Sequence, residues 1–209
     1  MENRSLITSQ LRRRVLLHSG GEDLILYEGK IAKEFGVSRT PIRQVIQSLA
    51  AESLVEVRSG VGTIAAPMLA ERRDKDLVAY SAILDACASC TSATHFPRVK
   101  IELATLRMHL EAGNAMSAND VFFDVATKYI GALGDLVDDK ILKASLVACF
   151  WRFTRRRIVE HRSDIETVIK ELLKTIKDAE YGAETGDPQH ILRMASTNVE
   201  VMLKAPARA

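Results

Sequence analysis

Residues 31–64 constrain the fold more than any other part of this chain, because a helical pattern there gives way to an alternating one. Gly36 predicts the end of a first helix, since glycine tolerates the left-handed backbone conformation found at helix ends. Ser38 can cap a second helix, with Pro41 in its first turn, where a missing N–H costs little. Ser38 would have to cap the amide of Thr40, because Pro41 has none. The pattern predicts two short helices joined by a tight turn.

The second helix of this pair separates its apolar residues from its polar ones. Its apolar residues recur at the spacing of one buried stripe: Ile42, Val45, Ile46 and Leu49. The opposite face is polar and has no acid: Arg39, Thr40, Arg43, Gln44 and Gln47. Arginine at the start of such a helix can bind guanine through two hydrogen bonds, and Ser38 and Thr40 suit phosphate oxygens. We expect a helix-turn-helix that binds DNA; the alternative is a helical hairpin with a solvated face.

Beyond residue 52 the apolar period changes from 3.6 to 2, which predicts a two-stranded wing. Gly60 and Gly62 at its tip would let the backbone approach a sugar-phosphate chain closely. Arg58 could enter a minor groove or pair with a phosphate.

These residues together resemble the amino-terminal domain of the GntR family of bacterial transcriptional regulators. The most specific part is residues 36–43, Gly-Val-Ser-Arg-Thr-Pro-Ile-Arg. The resemblance implies that Arg39 and Arg43 read bases and that Ser38 and Thr40 hold phosphate. It also places the Gly60–Gly62 wing near the minor groove, although Val61 replaces the basic or polar residue that the family often has there.

Charge and composition exclude several other classes of protein. The net charge is +2, and residues 1–66 contain nine Lys or Arg against seven Asp or Glu. A non-specific nucleic-acid coat would need a much larger excess, whereas a dimer with two local basic faces would not. Three cysteines fit a reducing compartment, and no signal-peptide core or long apolar run is present. We expect a cytoplasmic protein that does not associate with a membrane.

The chain divides into a winged helix-turn-helix domain over residues 1–66, a linker over 67–73 and an all-helical domain over 74–209. The last part predicts six helices, over about 74–94, 97–112, 117 onward, 139–159, 163–185 and 187–203. Capping residues mark three helix starts and one end: Ser117 with Asp120, Ser163 with Glu166, Asp187 with Pro188, and Gly113. Short connections predict an antiparallel bundle, so the fold class is mainly α.

The helical part resembles the ligand-binding domain of the FadR-like branch of the GntR family, the FCD type. The likeness depends on the helix count, on residues 120–124 (Asp-Val-Phe-Phe-Asp) and on Gly-Asp at 186–187. Many FCD domains bind a metal through one aspartate and three histidines. Asp120 matches the aspartate, but Asp124, Ile176 and Asn198 stand where histidines would be. Because isoleucine cannot bind a metal and asparagine binds zinc-like ions poorly, we predict no metal and no other cofactor. A hard cation on Asp120 and Asp124 is the alternative.

The usual arginine anchor for a carboxylate ligand is missing from the first predicted helix of this domain, at residues 79–85. Arg152 could replace it, so the candidate effector-binding residues are Asp120, Asp124, Arg152 and Asn198. The alternative for Arg152 is a solvated or interdomain face shared with Arg155, Arg156 and Arg157. Phe150, Trp151 and Phe153 could line a cavity or pack in the core, and at least one must face away from any shared cavity.

The sequence favours a sequence-specific transcriptional regulator that binds double-stranded, palindromic operator DNA as a homodimer and responds to a small-molecule effector. Two-fold symmetry follows from mechanism, because one recognition helix contacts few bases. Two alternatives stay open: a regulator whose helical domain is only a dimerisation scaffold, and an enzyme with a DNA-binding appendage. No nucleophile, base or metal constellation supports the enzyme, so we expect no catalysis.

Overall fold

The computed structural model describes residues 2–18, 23–112, 117–162 and 164–204. The amino-terminal part contains three helices and three short strands in the order α1, β1, α2, α3, β2, β3. Their bounds are Glu2–Leu16, Ile25–Leu26, Glu28–Glu34, Arg39–Ala51, Val55–Arg58 and Gly62–Ala65. The helix-turn-helix is therefore α2 and α3, and β2 with β3 form the wing, as predicted.

The corner between α2 and α3 follows the local sequence. Gly36 has φ of +64°, the left-handed conformation that a side chain disfavours. Val37 donates its amide to the carbonyl of Ala32 at 3.0 Å, which closes the end of α2. The predicted apolar stripe of α3 is buried in full, so its orientation is fixed by packing: Ile42, Val45, Ile46 and Leu49.

A third strand, which the sequence pattern did not predict, completes the sheet. β1 pairs antiparallel with β3, so the strand order is β1-β3-β2. Two residues are too few to show an alternating pattern, and β1 depends on β3 for its hydrogen bonds. The wing is thereby anchored on both sides of β3, and only its tip at residues 59–61 projects beyond the sheet.

A 3-10 turn at Ala70–Arg72 leads into six helices within the described residues, the number predicted. They are α4 to α9, at Arg73–Ala88, Phe96–Glu111, Ala118–Asp135, Lys140–Glu160, Ile165–Ala183 and Pro188–Lys204. α4 ends six residues before the predicted end. Just beyond it, the amide of Ser92 donates to the carbonyl of Leu136, and Thr91 forms an isolated β-bridge with Val137. Ser117 caps α6 as predicted. The predicted caps Gly113 and Ser163 lie outside the described residues. The side chain of Asp164 caps α8 by accepting from the amide of Thr167.

The helices α4 to α9 pack into one bundle, in which α4 contacts both α7 and α9 and α8 contacts α5, α6 and α9. Its core is continuous with that of the amino-terminal part, because α1 packs on α3 and on α7. Among the described helices, none is long and apolar enough to cross a membrane. The bundle and the winged helix-turn-helix are thus joined by direct packing as well as by the intervening chain.

Candidate nucleic-acid interface

The polar face of α3 is exposed along its whole length. Its exposed side chains are those predicted for this face: Arg39, Thr40, Arg43, Gln44 and Gln47. Ser38 occupies the N-cap position but makes no side-chain cap hydrogen bond, so the predicted bond to Thr40 is absent. The first amides of a helix lack intrahelical partners. The start of α3 therefore offers an exposed hydroxyl and backbone donors that suit a phosphate.

An acidic residue of α2 reaches this face, which the sequence of α3 alone could not show. Glu28 accepts two hydrogen bonds from Arg43, from Nε at 3.1 Å and from Nη2 at 2.9 Å. These bonds, and the positive charge of Arg43, lower the pKa of Glu28. The guanidinium of Arg39 lies beside α2 as well, over Gly29, where a Cβ atom would come within 3.5 Å of it. Both arginines are thus laid against α2, and the bidentate pair gives Arg43 a fixed orientation.

Replacing Glu28 with glutamine is expected to raise affinity for DNA of unrelated sequence several-fold. The change removes a negative charge from the face that would approach DNA, and it also frees Arg43 from its bidentate geometry. The ratio of operator affinity to non-specific affinity should therefore fall. Fluorescence anisotropy on operator and scrambled duplexes measures both affinities.

Glu34→Gln is the matched control, since Glu34 is an exposed residue of α2 that pairs with Arg14. An unchanged ratio in Glu28→Gln would show that the pair does not orient Arg43 for DNA.

The wing presents glycines and one arginine at its exposed end. Gly60 and Gly62 have φ of +75° and +121°, so the tip requires residues without a side chain. Arg58 lies between two acids, with 2.9 Å to Asp23 and 3.1 Å to Glu56. These pairs are exposed and therefore weak. Arg58 could exchange them for a phosphate, but its charge is compensated in the free protein.

The three consecutive arginines of α1 form ion pairs with acids in three directions. Arg14 pairs with Glu34 of α2. Arg12 donates to Glu52 at 2.6 and 2.9 Å, and its Cζ lies 4.9 Å from the ring centroid of Trp151 on α7. Arg13 pairs with Asp120 of α6 and lies over the ring of Phe123, on the same helix. These contacts connect α1 to α6 and α7, and no pattern in the sequence indicates them.

A cavity lies between five of the bundle helices. Its lining residues begin at Tyr80, well beyond α3 in the sequence. Residues of α4, α6, α7, α8 and α9 line about 560 Å³ of space, including the open mouth, although only a few water molecules fit between the side chains. Phe150 and Phe153 line it, and Trp151 faces away from it toward Arg12. That division satisfies the expectation that at least one of the three faces away.

The four predicted effector residues do not lie together. Asn198 lines the cavity, and its Oδ1 accepts from Lys174 at 3.1 Å. Asp120 pairs with Arg13, and Asp124 accepts from Lys128 at 2.7 Å. Arg152 donates to Asp76 at 2.6 Å. Two arginines near it in sequence are buried: Arg155 donates to the carbonyl of Ala66, whereas Arg156 donates to the carbonyl of Leu69 and shares the Asp76 carboxylate with Arg152.

The residues at the FCD metal positions do not form a donor set for a metal. Ile176 is fully buried and has no donor atom, and Asp120 is engaged by Arg13. Within the described ranges, no group of three or more His, Cys, Asp and Glu could hold a metal ion.

Comparison with known proteins agrees with this geometry. Residues 5–64 match the profile of the family described as bacterial regulatory proteins, gntR family. E. coli McbR/YncC superposes with a TM-score of 0.63 at 11% identity, over 98% of both chains. A protein from Rhodococcus sp. RHA1, described as transcriptional regulator GntR, superposes with a TM-score of 0.62 at 15% identity, over 98% of this chain and 97% of that one. At such identities the superpositions establish the fold alone. No curated protein matches by sequence.

An exposed, arginine-bearing recognition helix followed by a wing defines a DNA-binding protein of the winged helix-turn-helix class. The match over residues 5–64 covers this whole unit. Residues 5–64 thus form a GntR-type DNA-binding domain, which the match identifies over 60 of the 209 residues of the chain.

Proposed function

We propose that this protein is a transcriptional regulator that binds a palindromic operator as a homodimer, and that a small molecule in the bundle cavity controls its affinity for DNA. The observation that carries the DNA-binding part is the exposed polar face of α3 opposite a fully buried stripe. One such face reads only a few base pairs, so two copies related by a two-fold axis are needed for a specific site. We place the protein in the cytoplasm, where bacterial operators lie.

Three side chains of α3 read bases in this proposal. Arg39 and Arg43 contact base edges in the major groove, where a guanine offers two acceptors to one guanidinium. Gln44 lies on the same exposed face and suits adenine, which offers one acceptor and one donor to a side-chain amide. All three leave the buried stripe of α3 undisturbed, so reading bases requires no change in the packing of the helix.

The remaining contacts hold the sugar-phosphate backbone and set the position of α3 in the groove. Ser38 and Thr40 contact phosphate at the start of α3. Arg58 and the glycines at the wing tip, Gly60 and Gly62, approach the adjacent minor groove. These contacts add affinity for any duplex, whereas the bases read by α3 decide which duplex is preferred.

Effector control is supported by the way two helices serve both the cavity and the DNA-binding part. On α6 and α7, a residue that lines the cavity is followed directly by one that contacts the amino-terminal part. Three pairs have this arrangement: Phe122 and Phe123, Phe150 and Trp151, Thr154 and Arg155. A ligand that displaces the first member of a pair would shift the second, and so favour one placement of the DNA-binding domains.

The domain division at residues 66 and 73, and the FadR-like assignment of the bundle, are parts of the same proposal. The six helices that follow Arg72 in the described part of the chain support them. Of the candidate effector residues, Asn198 would contact the ligand. Asp120 would act at a distance, through its pair with Arg13. We assign no role in ligand contact to Asp124 or Arg152, which pair with Lys128 and Asp76.

Selection of DNA from a random library by the full-length protein tests the proposal. We expect enrichment of a palindrome and sedimentation of two chains with each duplex. The logarithm of affinity should fall linearly with the logarithm of salt concentration, because phosphate contacts release counterions. Enrichment of an asymmetric site bound by one chain would contradict the homodimer, and no enrichment at all would contradict sequence-specific binding.

A further inference from the structure

The bundle cavity concentrates the aromatic residues of a chain that has few of them. Five rings line it: Tyr80, Phe122, Tyr129, Phe150 and Phe153. The whole sequence contains eleven Trp, Tyr and Phe residues. The ring centroids of Tyr80 and Phe153 are 5.1 Å apart, and those of Tyr129 and Phe150 are 6.0 Å apart. A flat ligand ring that displaces one of these side chains can stack on one remaining ring and meet the edge of another.

Two polar atoms in the cavity wall have no hydrogen-bond partner among the residues that the structure describes. The hydroxyl of Tyr129 and the amide nitrogen of Asn198 are both buried and unpaired. Tyr129 is 1% exposed, so bulk water does not reach its hydroxyl. Asn198 Oδ1 accepts from Lys174, which orients the amide so that Nδ2 is left as a donor. Buried polar groups are normally satisfied. A ligand with an acceptor atom would satisfy both groups.

The charge at the cavity wall is already balanced. Arg157 is the one cation among the described lining residues, and it is held by Glu171 and Glu160. Glu171 also contacts His161, at 2.8 Å between Oε1 and Nε2. Burial acts against the charge of Glu171, but hydrogen bonds from Arg157 prevail and lower its pKa. An anionic ligand would therefore lie beside a carboxylate without a cation to receive it.

We propose that the cavity binds an uncharged aromatic small molecule whose carbonyl oxygen or ring nitrogen accepts hydrogen bonds from Tyr129 and Asn198. The inference deepens the effector control proposed above and depends on it. It separates this chain from ligand sites built around a carboxylate and a metal, because neither a free cation nor a metal donor set lines the described cavity.

Three compounds of similar size test the ligand class: benzamide, benzoate and cyclohexanecarboxamide. Trp151 is the single tryptophan and its ring lies 5.0 Å from that of Phe150, so its indole N–H cross-peak in a ¹H–¹⁵N spectrum reports on the cavity. We expect benzamide to shift this peak in a saturable way and the other two compounds to bind at least roughly tenfold more weakly. Equal or tighter binding of benzoate would overturn the proposal, as would equal binding of cyclohexanecarboxamide.

Tyr129→Phe tests the hydroxyl separately from the ring. We expect benzamide to bind about tenfold more weakly, because one hydrogen bond to the ligand is lost. The melting temperature should be unchanged or higher, because an unpaired buried group is removed. Tyr181→Phe is the control, because Tyr181 is exposed and outside the cavity. A lower melting temperature with unchanged benzamide binding would make the hydroxyl structural and overturn its role. Operator binding is measured in parallel, without any compound. If the protein binds operator DNA but not benzamide, only the cavity assignment is overturned. If it does not bind operator DNA, the proposed function is overturned.

Discussion

Alanine at both Arg39 and Arg43 is expected to weaken specific operator binding by roughly 10²- to 10⁴-fold, because each arginine supplies a bidentate contact to a base. Binding to scrambled DNA should weaken far less, since only phosphate contacts remain there. The melting temperature should stay unchanged, because both side chains are exposed and the buried stripe of α3 is untouched. Fluorescence anisotropy at fixed salt and thermal unfolding by circular dichroism measure the two effects.

The control for this double variant must remove the same charge elsewhere. Arg98 and Arg193 are exposed residues of α5 and α9, so Arg98→Ala with Arg193→Ala changes the net charge equally. Operator affinity of this control should match that of the unchanged protein. If the Arg39 and Arg43 variant keeps both affinity and base preference while remaining folded, α3 is not the reading helix.

The face of α3 could be predicted from the sequence because it depends on local spacing alone. The apolar spacing, Gly36 at the corner and Pro41 in the first turn each act on residues within one helical turn. The structure has α3 where these features predict it. The cap at Ser117 was predictable for the same reason. The end of α4 was not, because a backbone bridge between Thr91 and Val137 stops the helix, and that bridge joins distant segments.

The contacts that modify the candidate sites come from other elements, so no local pattern contains them. Glu28 reaches Arg43 from α2, and the acids paired with the arginine run of α1 lie in three different parts of the chain. The cavity is a convergence of five helices, and its unpaired groups at Tyr129 and Asn198 are visible only after packing. The resemblance to a family motif suggested both Asn198 and Asp120 as effector-binding residues. Asn198 lines the cavity, whereas Asp120 pairs with Arg13 of α1.

Arg155→Met is expected to release the junction between the wing and the linker. Arg155 is 3% exposed and donates to the carbonyls of Ala66 at 2.5 Å and Leu54 at 3.4 Å. Burial lowers its pKa to about 10, so it stays protonated at neutral pH. Methionine keeps most of the length of the side chain but leaves the Ala66 carbonyl without this donor, which costs about 1–3 kcal/mol of local stability.

Two measurements detect the loss of the contact between Arg155 and Ala66. Tryptic cleavage after Arg72, an exposed residue of the linker, should become roughly tenfold faster or more, because cleavage tracks the population of the opened junction. Discrimination against operators with one base pair inserted between the half-sites should fall, since the DNA-binding domains are no longer held at one separation. Arg193→Met, the same substitution at an exposed position of α9, should change neither. Unchanged cleavage and unchanged spacing preference in Arg155→Met would show that α7 does not hold the DNA-binding domain through this residue, and the coupling between cavity and operator would then need another route.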